Sequence, residues 1–191
     1  IGTDIGLRFK TTRGRGGVVE KVYIKNIAMK DIPGDAVLFD MYYGAKSPVF
    51  LKDGAGEVPK VAIMPVNEGT PQFKDIHVNN LVCDGASRGI FVRGLPEMNI
   101  QDIYLENITI QANKGIQTQD AKGIHFKNVN LIVKDTQPVV DILNSSELTF
   151  DGLKYNDGAE LLFDIKGEKS TNIAVRNSDL KSAKSSADFK Y

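Results

Sequence analysis

This sequence has a single cysteine, Cys83, so no disulfide within the chain can staple it. Cys83 closes the apolar run Leu81-Val82-Cys83, which marks a small buried residue rather than a reactive thiol. Neither of the two histidines, His77 and His125, stands beside it in a nucleophile motif. An excess of either charge is also lacking, since 24 Lys and Arg balance 24 Asp and Glu. That balance argues against general binding to nucleic acid or an anionic membrane surface, but not against one local basic groove. No run of about 18 apolar residues occurs, so nothing reads as a membrane span. No convergent spacing of Cys, His and carboxylates fits a metal, and no cofactor is implied. No signal peptide is visible. The chain opens mid-pattern at Ile1 without an initiating Met, as a piece of something longer would. Finally, no helical period is sustained over about ten residues.

What is present is a repeat. One phrase recurs: apolar, any, apolar, any, Asn, apolar. It runs from Val22 to Ile27, Ile76 to Leu81, Ile103 to Ile108 and Ile124 to Val129, and from Ile173 to Asn177. A degenerate copy from Leu148 to Leu153 has Gly152 in the Asn slot. The phrases start at 22, 76, 103, 124, 148 and 173, separated by 54, 27, 21, 24 and 25 residues. The first gap is two periods, or one period with a large insertion. Each period holds a second short strand: Ala36 to Phe39, Gly89 to Val92, Gly115 to Thr118, Val139 to Ile142, Leu161 to Asp164, with Gly6 to Phe9 in the same slot.

Such periods are too short for helical crossovers between parallel strands. They suit an all-β coil that stacks strand above strand, a parallel β-helix. One coil cannot bury its apolar edge, but a stack with rungs about 4.8 Å apart can. The recurrent Asn suits a tight corner, because Asn tolerates the left-handed conformation, and stacked asparagines can form a ladder. His77 and His125 occupy the outward second position of their phrases, so both are expected at the surface. The small, polar residues from Lys181 to Tyr191 read as a cap or as a strand end folded over the last coil.

The chemistry-bearing stretch is Gly6 to Gly17. Leu7 and Phe9 share one face of a strand, so Arg8 and Lys10 share the other. Two outward cations attract anions, and Arg grips a carboxylate through two parallel hydrogen bonds. The alternative is an ordinary solvated edge strand. The glycines that follow lack the GxxxxGK[ST] pattern of a phosphate loop. The repeat is interrupted after Tyr42-Tyr43, and Pro48, Pro59, Pro65 and Pro71 fall in the interruption. An inserted loop at 44–72 within a single unit, 1–191, is expected to flank or cover a site. The two tyrosines could stack on a sugar ring or donate phenolic hydrogen bonds; equally, one is core and the other half-exposed. Arg93 is either a second basic group of the same groove or the partner of Glu97 across the turn that follows it.

The segment Gly2 to Thr11 with Arg13 to Gly17 resembles the region around the R-I-K motif of glycoside hydrolase family 28, the polygalacturonases, with Phe9 in the middle position. The repeat, the Tyr42-Tyr43 step and Gly94-Leu95-Pro96-Glu97 resemble bacterial members. The likeness covers Ile1 to about Phe150. It implies a right-handed, pectin-lyase-like parallel β-helix, present in part as the C-terminal half of a longer secreted or periplasmic enzyme. It further implies that Arg8 and Lys10 contact the carboxylate of a uronic acid, and that Tyr42 or Tyr43 contacts the substrate. The family's catalytic N-x-D, D-D and G-H-G motifs are not in this chain, so the implied inverting hydrolysis of an acidic polysaccharide needs groups from elsewhere. A solenoid cut at this point exposes apolar cross-section beside Leu7 and Phe9, and self-association through that end is expected. Two alternatives remain: a non-catalytic carbohydrate-binding or adhesin module, and a lyase or epimerase on the same fold.

Overall fold

The computed structural model describes residues 1–43 and 62–190. Twelve strands occur among them: β1 (Leu7–Lys10), β2 (Val18–Val19), β3 (Val22–Asp40), β4 (Gln72–Arg93), β5 (Ile100–Ala112), β6 (Lys114–Gln119), β7 (Ala121–Val133), β8 (Val140–Leu143), β9 (Thr149–Asp151), β10 (Leu161–Lys166), β11 (Ala174–Arg176) and β12 (Ser185–Lys190). The only helical element among the described residues is a 3-10 turn at Leu180–Ser182. Every strand-to-strand ladder is parallel, and the curled sheet makes the chain all-β. Partners lie one sequence period apart. The phrases pair in the order β3, β4, β5, β7, β9, β11, and the second strands pair in the order β1, β3, β4, β6, β8, β10, β12. Val22 lies directly against Ile76, so the long first gap is one period carrying an insertion. The expected inserted loop lies outside the described residues over 44–61. Its end folds onto the glycine-rich turn, where the Gly14 and Gly16 amides both donate to the Gly69 carbonyl, at 2.8 and 3.0 Å.

The expected short second strands stand as β1, β6, β8 and β10, but those at Ala36 to Phe39 and Gly89 to Val92 are corrected: they run on from their phrases in the long bent strands β3 and β4. β3 runs 19 residues and β4 runs 22, bending through corners, and their shared ladder shifts register between Ile32 and Asp35. Two columns of left-handed residues make this possible. Lys21, Asp75, Asp102, Gly123, Glu147 and Asn172 have φ of 51–63°, and five residues later Asn26, Asn80, Asn107, Asn128, Gly152 and Asn177 have φ of 51–71°. Each corner residue consumes one step of the alternation, so Ile24 and Ile27, three apart, pack toward the same interior. The asparagine ladder is partial: Asn80 Nδ2 donates to Asn26 Oδ1 (2.7 Å) and Asn128 Nδ2 to Asn107 Oδ1 (3.0 Å), while Asn177 donates to Asp151 beside Gly152.

The core is a set of columns. Val78, Leu105, Phe126 and Phe150 stack in register and are essentially fully buried, with Phe126 and Phe150 rings parallel at 4.7 Å. Phe9 stacks on Phe39 at 4.5 Å on the opposite side. Outside, Tyr23, His77, Tyr104 and His125 form the surface column foreseen for the histidines, with centroids 4.7, 4.4 and 4.8 Å apart. Cys83 is buried, and burial pushes its thiol up to about 11, which suits an inert core residue. The terminal segment is a rung rather than a loose cap, since β12 pairs along β10.

Candidate functional site

The outward face of the second-strand sheet carries two charged columns. Register aligns Arg8, Leu38, Phe91, Gln117, Asp141, Asp164 and Asp188 in one, and Lys10, Asp40, Arg93, Gln119, Leu143, Lys166 and Lys190 in the other. The first rungs of this face hold Arg8, Lys10, Tyr43 and Arg93, with Tyr42 buried beneath them.

Alternation in β1 buries Leu7 and Phe9 against the core and leaves Arg8 and Lys10 outward. The ladder continues one step beyond β1: the Thr11 amide donates to the Asp40 carbonyl and the Tyr43 amide to the Thr11 carbonyl. This seats Tyr43 beside Lys10, whose Nζ stands 3.8 Å from the ring centroid, a cation–π distance. The Arg15 guanidinium lies 5.9 Å from the same centroid. The Tyr43 hydroxyl is held below its ordinary value, first by the Lys10 ammonium as hydrogen-bond donor and then by its charge, with Arg8 and Arg15 adding to the effect. Tyr43 is 44% exposed and Tyr42 is 3% exposed, so the pair divides into one rim residue and one core residue. Arg8 is held by Asp4 at 2.5 Å. Among the described residues, no carboxylate forms an ion pair with Lys10 or Arg15.

Beneath this rim lies a buried ionic layer. Arg93 does not pair with Glu97. Its guanidinium grips Asp40 through two bonds of 2.9 Å, because Asp40 is its neighbour in the parallel register. Glu97 is taken instead by Arg13, at 2.6 and 2.9 Å. Burial alone would raise the Glu97 carboxyl, but the Arg13 bonds outweigh it and hold it below the usual range. Tyr42 donates its amide to Asp40 and packs between Arg13 and Arg93, whose guanidinium carbons are 5.5 and 5.2 Å from the ring. Its hydroxyl is buried without a hydrogen-bond partner, and burial pushes it up to about 12. Asp120 is also buried. Its Oδ2 accepts from Gln119 (3.2 Å), its Oδ1 has no partner, and burial pushes its carboxyl up to about 6.

The structure therefore brings Arg8, Lys10 and Tyr43 together at the surface, sets Tyr42 below them, and spends the fork of Arg93 on Asp40. A cationic rim over a fixed ionic base can hold an anionic ligand. Its own carboxylates, Asp40, Glu97 and Asp120, are turned inward, which leaves no exposed acid–base pair among them. Sequence reasoning gave no site role to four members. Arg13 and Arg15 sat in the glycine-rich tail, and Glu97 was weighed only as a partner of Arg93. Asp120 carried no motif; its one signal was that Gly94, Asp120, Asn144 and Gly167 fall at the same corner of successive periods. Among the described residues, no group of three or more His, Cys, Asp or Glu gathers to hold a metal ion, and no helix is long and apolar enough to cross a membrane. No protein-family model, curated protein or solved structure matches this chain.

Proposed function

We propose that this chain is the C-terminal part of a polygalacturonase-like glycoside hydrolase, a right-handed parallel β-helix that acts on pectin or a related uronic-acid polysaccharide outside the cytoplasm. Its role is to supply substrate-binding residues, with catalytic aspartates contributed by other parts of the enzyme. One observation carries the reading: Lys10 and Arg15, without an ion-pair partner among the described residues, flank the half-exposed ring of Tyr43 beside Arg8. A uronate offers both a carboxylate for the cations and a ring face for the phenol.

Calorimetric titration with oligogalacturonides tests this. Binding is expected for the native chain, to weaken about tenfold in Lys10→Ala and to fall as salt rises. Equal affinity for galacturonides and for neutral galactosides would overturn the uronate assignment. The chain alone is expected to release no reducing ends from polygalacturonate, and turnover would refute the assigned role. A second reading, a non-catalytic carbohydrate-binding or adhesin module, is favoured by the inward burial of Asp40, Glu97 and Asp120. The two part when the chain is joined to a segment bearing N-x-D, D-D and G-H-G motifs, since only the first reading expects that protein to hydrolyse pectate.

A further inference from the structure

The same outward face carries a second feature, four rungs from Lys10, or about 19 Å along the stack. There a cleft of about 540 Å³ opens over β6, β8, β10 and β12. Its floor is a ladder of alternating charges. Lys166 Nζ lies 2.5 Å from Asp141 Oδ1 and 3.3 Å from Asp164 Oδ2, and Lys190 Nζ lies 3.2 Å from Asp164 Oδ1 and 3.2 Å from Asp188 Oδ2. Gln117 links the ladder upward, donating to Asp141 Oδ2 at 3.2 Å and accepting from Arg88. Asp141 is only 8% exposed and lines the cleft. Both of its oxygens are engaged, Oδ1 by the Lys166 ammonium and Oδ2 by the Gln117 amide, which fixes the inner end of the ladder. Leu161 and Pro138 form an apolar wall beside these groups.

The charge arrangement selects among ligands. Four carboxylates and three ammonium groups line the cleft. A metal ion would have to displace both bridging lysines, and an anion would meet the aspartates. A neutral molecule dense in hydroxyls meets a partner in either direction, because the carboxylates accept and the ammonium groups and Gln117 donate. A ring that also has an apolar C–H face fits the Leu161 and Pro138 wall. We propose that this cleft is a binding site for neutral saccharide rings, separate from the cationic rim and independent of the uronate assignment there.

The test is amide chemical-shift mapping of the native chain titrated to about 10 mM with neutral xylo-, galacto- and arabino-oligosaccharides. Shifts are expected at Gln117, Asp141, Asp164, Lys166 and Asp188, with a dissociation constant near or below about 1 mM. The exposed variant Asp188→Asn, which leaves the Lys166 bridge in place, is expected to weaken binding severalfold, and Asp164→Asn to weaken it about tenfold. Lys10→Ala should leave it unchanged, which separates this site from the uronate site. No shift with any of these sugars, shifts that map to the Lys10 rim, equal binding in both aspartate variants, or the same residues responding to Ca²⁺ would each overturn the proposal.

Discussion

At the scale of single residues, the two rungs around Asp40 show how one sequence signal can have two opposite outcomes. Lys10, Asp40 and Arg93 are adjacent in one column, yet Lys10 faces a phenol and Arg93 a carboxylate. Arg93→Ala should therefore act on stability more than on ligand binding. Asp40 would be left largely buried without its partner, at about 3 kcal/mol, read as a lower urea midpoint. Asp120 gives a pH dependence. Its carboxyl titrates near 6 in the fold against about 3.9 when unfolded, so the native state holds the proton more tightly. The stability this contributes is fully present below pH of about 4 and is lost as pH rises to about 6, on the order of 3 kcal/mol. Glu97, Arg13 and Lys169 also act on this group. Urea unfolding across that range should show the decline in the native chain and a flatter profile in Asp120→Asn. The outward pair Arg8 and Lys10 was legible from alternation alone. The partners of Arg93 and Glu97 were not, because pairing across rungs depends on register, and register depends on a corner count that local sequence does not display.

At the scale of elements, the corners decide everything. The Asn slot was visible in the sequence because Asn tolerates positive φ. The matching slot five residues earlier was not, since Lys21 and Glu147 carry no turn signature yet adopt φ of 56° and 57°. That hidden column is why β4, β5 and β7 begin upstream of their phrases, at Gln72, Ile100 and Ala121. Asn107→Ala should cost about 1 kcal/mol, because Ala resists the left-handed conformation and the Asn128 amide loses its acceptor; Asn107→Gly should cost less. Gly115 tests the close approach of rungs. A Cβ there would stand 2.1 Å from the Val139 carbonyl oxygen, which accepts from the Ile116 amide, so Gly115→Ala should lose about 3 kcal/mol or more in the same urea assay.

At the scale of the molecule, each rung touches mainly its neighbours, so stability is a sum of adjacent contacts and the ends are the weakest part. Hydrogen exchange should be slowest in β4, β5 and β7 and fastest in β1, β11 and β12. Near the first rung Val18 and Val19, paired with β4, are 54% and 40% exposed. The identical distance between paired corners also makes whole turns interchangeable parts. Excising 103–123 would join Asp102 to Ile124, put His125 over His77 and Asn128 over Asn80, and leave a shorter sheet with its parallel register kept. It would also remove β6, taking Lys114 and Gln117 out of the cleft wall, while the remaining ladder of Asp141, Asp164 and Lys166 moves one step, about 4.8 Å, nearer to Lys10, so the interval between charged surfaces on this molecule can be set by subtraction.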